Sequence, residues 1–209
     1  APVLSAEQRL ASARIAAGLG VFSSQALVDL YAEIYDRTDP SDLPQTDAWQ
    51  LRLAITGKQV DDKIAAFRKL HDGVQGSIER EATRALLARA AVRIAPDAAL
   101  QEVAPDLISA MLAGGYDREA ARWAGVIDDM DDEFADRCWA MLALGAPTVR
   151  GIDLDGGRVG DFIDRDTSAG KQRSALLVAG LAGLGRITTA AAGQFSQRHR
   201  LGPGGRSKW

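Results

Sequence analysis

Asparagine is absent from this 209-residue chain, cysteine occurs once, at Cys138, and histidine only at His71 and His199. The first absence removes N-glycosylation acceptors and the Asn-Gly pairs that mark tight hairpins. One cysteine cannot close an intrachain disulfide, and two histidines cannot supply a zinc site built on several Cys or His ligands. The apolar run Ala175 to Gly185 covers 11 residues before Arg186 interrupts it, short of the ~20 that a membrane-spanning helix needs. Nucleotide motifs fail as well. No Gly stands five residues before Gly170-Lys171 and Gln172 takes the Ser/Thr place, while Thr188 fills the last position of a Gly183-x-Gly185 dinucleotide pattern. Neither H-E-x-x-H nor G-x-S-x-G occurs. No cofactor or metal is expected from these patterns.

What the chain has in quantity is alanine, at 37 positions, within a composition that is 46% hydrophobic and 25% charged. Alanine is the strongest helix former, and the balance is that of a globular, soluble protein, with the compartment, cytoplasmic or periplasmic, left open. Arginine outnumbers lysine 20 to 5, a bias of GC-rich bacterial genomes.

Helix signals recur along the first two thirds. Ser5 and Gln8 have capping-box spacing ahead of Leu10, Ala13 and Ala17, and Gly18 or Gly20 stops that helix. Ser23 or Ser24 opens a second, with Leu27, Leu30, Tyr31 and Ile34 on one face. Residues 36–44 form a loop with two prolines. Thr46 caps a third helix that turns Trp49 and Leu53 inward; residues 61–72 make a fourth; Ser77 caps a fifth. Asp97 caps a sixth that Pro105 kinks or restarts, and Gly114-Gly115 ends it. Asp117 caps a seventh, and Asp131 or Asp132 an eighth that closes at Gly145-Pro147. Short connections imply antiparallel neighbours. Residues 148–167 carry little helical period and are expected to be an irregular connector, with at most a hairpin at Asp155-Gly156 or one helical turn around Phe162. Two more helices follow, from Ser168 and from Thr188, and Trp209 is expected to dock.

The stretch Gly115-Tyr116-Asp117-Arg118-Glu119-Ala120 resembles the turn into the second helix of a tetratricopeptide-type repeat, with Ala91 and Pro96 at the places that end a repeat. The resemblance spans residues 91–145. It departs from that family in the first helix, where Ala104, Leu107-Ile108 and Met111 replace the characteristic Trp, Leu-Gly and Tyr. The resemblance implies stacked helical hairpins that bind a peptide or partner protein along a groove. An ordinary helical bundle with a glycine-ended helix accounts for the same residues.

Several stretches invite a chemistry and also have a plainer account. The run Asp128-Asp129-Met130-Asp131-Asp132-Glu133 could hold a hard cation, but its second half suits a helix N-terminus. The aspartates between Asp153 and Asp166 lack the Gly and Glu positions of a calcium loop. Ser168-x-x-Lys171 has the spacing of penicillin-recognising serine enzymes without their K-T-G or S-D-N, and Ser168 serves as an N-cap. His71 sits at a helix C-terminus without an assignable acid–base partner. The spacing Ala175, Ala179, Gly183 permits close helix approach, within a core or in a homodimer. Residues 1–149 carry 15 basic and 23 acidic side chains, whereas residues 150–209 carry 10 and 5, and no acid follows Ala169. Arg198, Arg200, Arg206 and Lys208 could therefore meet nucleic acid, but one aromatic residue is no stacking platform, and pairing with the acidic N-terminal helices is the plainer account.

These observations predict an all-α protein: an antiparallel helical-hairpin array, solenoid-like or an irregular bundle, over residues 1–147, a connector over 148–167, and C-terminal helices with a basic tail over 168–209. The expected function is a non-enzymatic interaction or scaffold module that binds a peptide or partner helix between hairpins. Candidate contact residues are Trp49, Tyr116, Arg118, Arg122 and Trp123, the types that dominate interface energies. Trp123 and Trp139 suit a core equally well. The alternatives are an enzyme, which requires a polar pocket holding a perturbed acid or base, and a nucleic-acid contact through the basic end.

Overall fold

The computed structural model describes residues 4–201, and among these every regular element is helical. In order they are α1 (Ala6–Gly18), α2 (Ser24–Arg37), α3 (Asp47–Thr56), α4 (Val60–Asp72), α5 (Ser77–Ala91), α6 (Ala104–Ala113), α7 (Asp117–Ala121), α8 (Asp132–Gly145), α9 (Gly156–Arg165), α10 (Gln172–Gly183) and α11 (Thr189–Arg198), with short 3-10 turns between some of them. No helix among the described residues is long and apolar enough to cross a membrane. The chain divides into two compact units between Trp123 and Ala124. Helix α8, grouped by sequence with the first 147 residues, falls in the second unit.

Local chemistry sets most helix starts. Ser5 and Gln8 complete a reciprocal capping box, and Ser23, Thr46, Asp155 and Thr188 each accept a backbone N–H of the first turn. Several expected caps differ, and at α10 the cap position belongs to Lys171 rather than Ser168. Ser77 is the first residue of α5, and the cap position belongs to Gly76, whose φ of 97° is a left-handed value suited to glycine. Tyr116, not Asp117, holds the cap position of α7. Asp97 caps only a short turn over Ala98–Leu100, and α6 starts afresh with Pro105 in its first turn, where a missing N–H costs nothing. The expected seventh helix is α-helical for five residues and then continues as a 3-10 run over Arg122–Asp129. Gly125, Val126 and Ile127 are poor α-helix formers and weaken the wider winding there. The stretch expected to be an irregular connector contains the ten-residue helix α9, which buries Val159, Phe162 and Ile163. Three glycines and three aspartates within residues 153–161 hid this 3.6-residue spacing.

In the first unit, α5 packs against α1, α2, α3, α4 and α6. Its sequence explains why it is the hub. Ala82, Ala85, Ala88, Ala90 and Ala91 are buried together with Leu86 and Leu87, so small side chains on several faces let neighbours close in. A Cβ added at Gly114, just past α6, would lie 2.2 Å from Ala88 Cβ, and one at Gly18 would lie 2.3 Å from the Ile78 carbonyl oxygen. Because α1 returns to α5, this unit is an irregular bundle rather than a stack of nearest neighbours.

In the second unit, α10 contacts α8 and α11. Gly180 makes the close approach, where a Cβ would meet Leu144 at 2.8 Å. The glycine of the small-residue spacing, Gly183, has nothing within 4 Å of an added Cβ. Asp136 of α8 binds Arg158 and Arg165 of α9 at 2.6 and 2.8 Å. Trp139 tilts against Phe162 with ring centroids 5.5 Å apart and donates its indole N–H to the Asp153 carbonyl at 2.7 Å. Asp166, its side chain 1% exposed, accepts from the backbone N–H groups of Ser168 and Ser174 and from the Ser174 hydroxyl. Burial pushes its carboxyl up, but these hydrogen bonds outweigh it and hold the pKa at about 2.

Two measurements test these contacts. Gly114→Ala should destabilise by about 1–3 kcal/mol through overpacking against α5, whereas Gly193→Ala, in open space on α11, should stabilise by about 0.5–1 kcal/mol; thermal unfolding reads both. The Asp166 carboxyl is more acidic folded than unfolded, so its contribution is present above the ordinary value of 3.8 and lost as pH falls toward 2. Urea unfolding across that window should show the wild type losing about 2 kcal/mol more than Asp166→Asn.

Candidate functional site

The first unit contains a solvent-open pocket of about 290 Å³. Its lining comes from α1 (Arg14), α2 (Tyr31), α3 (Asp47), the end of α4 and the turn after it (Lys69 to Gln75), and α5 (Glu79, Thr83, Leu86). Three positions give it its character. On α1, Arg14 stands beside the buried Ala13 and Ala17, a charged residue at the margin of an apolar stripe. On α2, Tyr31 follows Leu27 by one helical turn, and both are buried. On α5, Thr83 is 3% exposed among alanines and leucines. Packing of α1, α2 and α5 on one another brings the three together.

Arg14 Nη1 donates to the Tyr31 hydroxyl at 2.7 Å and Nη2 to the Thr83 hydroxyl at 3.4 Å. Both partners are neutral. Other half-buried guanidinium groups vary: Arg9 pairs with Glu33 at 2.6 Å, whereas Arg186 donates to the neutral Leu142, Ala143 and Ala146 carbonyls and Arg89 to the Gln25 side-chain oxygen. Burial pushes the Tyr31 phenol above its ordinary range; nearby Arg14 pulls it down and Asp47 pushes it up. The phenol is thus held protonated. The lining carries two cations, Arg14 and Lys69, and two acids, Asp47 and Glu79.

The residues expected to contact a partner are spread over different places. Trp49 is half-buried on α3, stacked on Tyr35 with centroids 6.1 Å apart and planes 8° from parallel, and Arg52 lies 4.5 Å from the Tyr35 ring centroid. Tyr116 is half-buried over Gly114, whose added Cβ would come 3.2 Å from the ring. Arg118 and Arg122 are exposed. Trp123 is a correction: it is 1% exposed and belongs to the core, so it offers no surface to a partner. Sequence reasoning placed Tyr31 on an apolar face and passed over Arg14 and Thr83. The available signal was a charge and a hydroxyl flanked by the small buried residues of α1 and α5.

The other stretches resolve into structural roles. Ser168 Oγ accepts from the Arg173 N–H, and Lys171 Nζ donates to the Ile163 carbonyl at the end of α9; the pair serves the backbone. Asp132 and Glu133 lie in the first turn of α8, favoured by its dipole, and Arg165 approaches Asp132 at 3.8 Å. Asp128 and Asp129 are exposed at the end of the 3-10 run. His71 lies 3.0 Å from Asp72 and stacks on Phe67. Among the described residues no group of three or more His, Cys, Asp or Glu side chains is placed to hold a metal ion. Arg206, Lys208 and Trp209 lie outside the described residues. No family model, curated protein or solved structure matches the chain.

The position of Tyr31 makes its phenol measurable by difference. An alkaline titration followed at the tyrosinate absorbance, wild type minus Tyr31→Phe, should show one phenol ionising above the ordinary 10.0. Because the unfolded phenol ionises first, stability contributed by the neutral form is present below that value and falls as pH rises beyond it.

Proposed function

We propose that this protein is a binding module, and that the pocket of the first unit receives one or two residues of a peptide or protein partner. The observation that carries it is Arg14: a half-buried guanidinium in a solvent-open pocket, supported by hydroxyls and left without a carboxylate. Burying a cation is costly unless it is compensated, and a bound partner can supply what the fold does not. The size agrees. About 290 Å³ is near the lower end of small-ligand pockets, room for a side chain or two. The tetratricopeptide resemblance of residues 91–145 agrees with peptide binding as a class of activity, although those residues lie outside the pocket.

An enzyme using the same pocket is the alternative, favoured by the protonated Tyr31 beside Arg14, a pairing suited to giving a proton to a developing oxyanion. Nuclear magnetic resonance of the labelled full chain with a mixed tetrapeptide library separates the two. Binding predicts shifts in the amides of residues 14, 69–75 and 79–83 with the peptides recovered intact. Chemically altered peptides would favour the enzyme, and an unperturbed pocket at millimolar peptide would sink the binding proposal.

A further inference from the structure

The donors and acceptors at the base of the pocket do not balance. A guanidinium has five N–H donors, and Arg14 spends one on Tyr31 and one on Thr83. Each hydroxyl is thereby an acceptor toward Arg14 and keeps its own proton to give. Among the described residues neither hydroxyl donates a hydrogen bond. Tyr31 and Thr83 are each 3% exposed, yet both line the pocket, so a group seated there can take those protons. The base of the pocket is therefore rich in donors. The two acids, Asp47 and Glu79, belong to the same lining and tell against a ligand of high negative charge.

We propose that the base of this pocket is a carboxylate-binding site, in which Arg14 receives the carboxylate and the Tyr31 and Thr83 hydroxyls donate to it. The ligand class is an α-carboxylate carried by a free amino acid or by a peptide C-terminus. A planar carboxylate offers two oxygens with about four lone-pair positions and matches the guanidinium fork. Phosphate, with its larger charge, meets Asp47 and Glu79 and is selected against. Lys69, exposed at the same lining, adds a second cation for a single negative charge. This deepens the peptide-binding proposal and rests on the same pocket.

The test is a shift titration of the full chain with five probes: trialanine with a free C-terminus, the same peptide as its C-terminal amide, free alanine, acetate and inorganic phosphate. Trialanine acid should bind at least about ten-fold more tightly than its amide, the loss expected when a charged acceptor is removed from a forked donor. Arg14→Lys keeps the charge but not the fork and should weaken the carboxylate probes by a similar factor; Tyr31→Phe should weaken them several-fold. Thermal unfolding of both variants verifies the fold, and the wild-type acid-against-amide comparison stands without them. Equal binding of acid and amide overturns the carboxylate site while leaving the peptide module standing. Alanine and acetate binding without trialanine keeps the carboxylate site and removes the peptide module. Tighter binding of phosphate than of any carboxylate, unchanged affinity in a folded Arg14→Lys variant, or no shift at the pocket with any carboxylate overturns the site.

Discussion

The first unit depends on how closely helices approach α5. Five neighbours share one fifteen-residue helix, and only small side chains allow that many axes to come near. Alanine does this at five buried positions of α5, and glycine completes it where Gly18 and Gly114 meet the helix. Interiors are packed to crystal-like density, so each contact limits its neighbours. The larger residues, Leu27, Phe67, Leu107, Ile108 and Met111, come mostly from the surrounding helices. They fill the space between those helices, while α5 supplies the surface they close on.

Against that apolar background, Asp136 and Arg14 show two treatments of buried charge. In the second unit, Asp136 is held between two guanidinium groups: burial pushes its carboxyl up, and the hydrogen bonds from Arg165 and Arg158 bring it below the ordinary range. The Arg158 guanidinium also lies 4.7 Å from the Trp139 ring centroid, so charge, ring and helix are braced together. Breaking such a pair leaves an uncompensated charge, which is why these clusters hold geometry rather than change it. In the first unit Arg14 is compensated only in part, by two dipoles. A closed cluster positions helices; an open one leaves bonding capacity facing solvent.

How far the sequence foretold this differs by level. Helix class was plain from alanine content, caps and spacing, because Ser5, Ser23, Thr46 and Thr188 act through hydrogen bonds only two or three residues long. Boundaries slipped where the backbone itself decided, as at Gly76 and Tyr116, or where weak α-formers ran together after Ala121. Helix α9 was hidden because glycines and aspartates read as loop, while its apolar face, Val159, Phe162 and Ile163, is a single turn that gains meaning only against Trp139. The pocket was not legible. Its polar core joins residues 17 and 69 positions apart, and the one local mark of Arg14, a charge between Ala13 and Ala17, says nothing of the two hydroxyls it meets. Aromatic residues drew attention as partner contacts, yet size and apolarity serve a core equally, and Trp123 went there.

Arg186 shows how long the end of one helix waits for its partner. Its guanidinium satisfies carbonyls at the C-terminal end of α8, at Leu142, Ala143 and Ala146, from 40 to 44 residues further along the chain. Leu142 also accepts the Ala146 N–H at 3.0 Å, but the Ala143 and Ala146 carbonyls belong to the end of the helix, whose acceptors it cannot satisfy for itself. On the ribosome, adding chain at about 5–20 residues per second, α8 emerges with its last turn open and remains so for several seconds until Arg186 appears. The first unit has a wait of the same kind, since α1 ends at Gly18 and the hub it packs on begins only at Ser77; every helix that packs on α5 has been made by residue 113. Each half of the chain thus leaves one helix waiting on a segment made later, α1 for a whole helix and α8 for a single arginine.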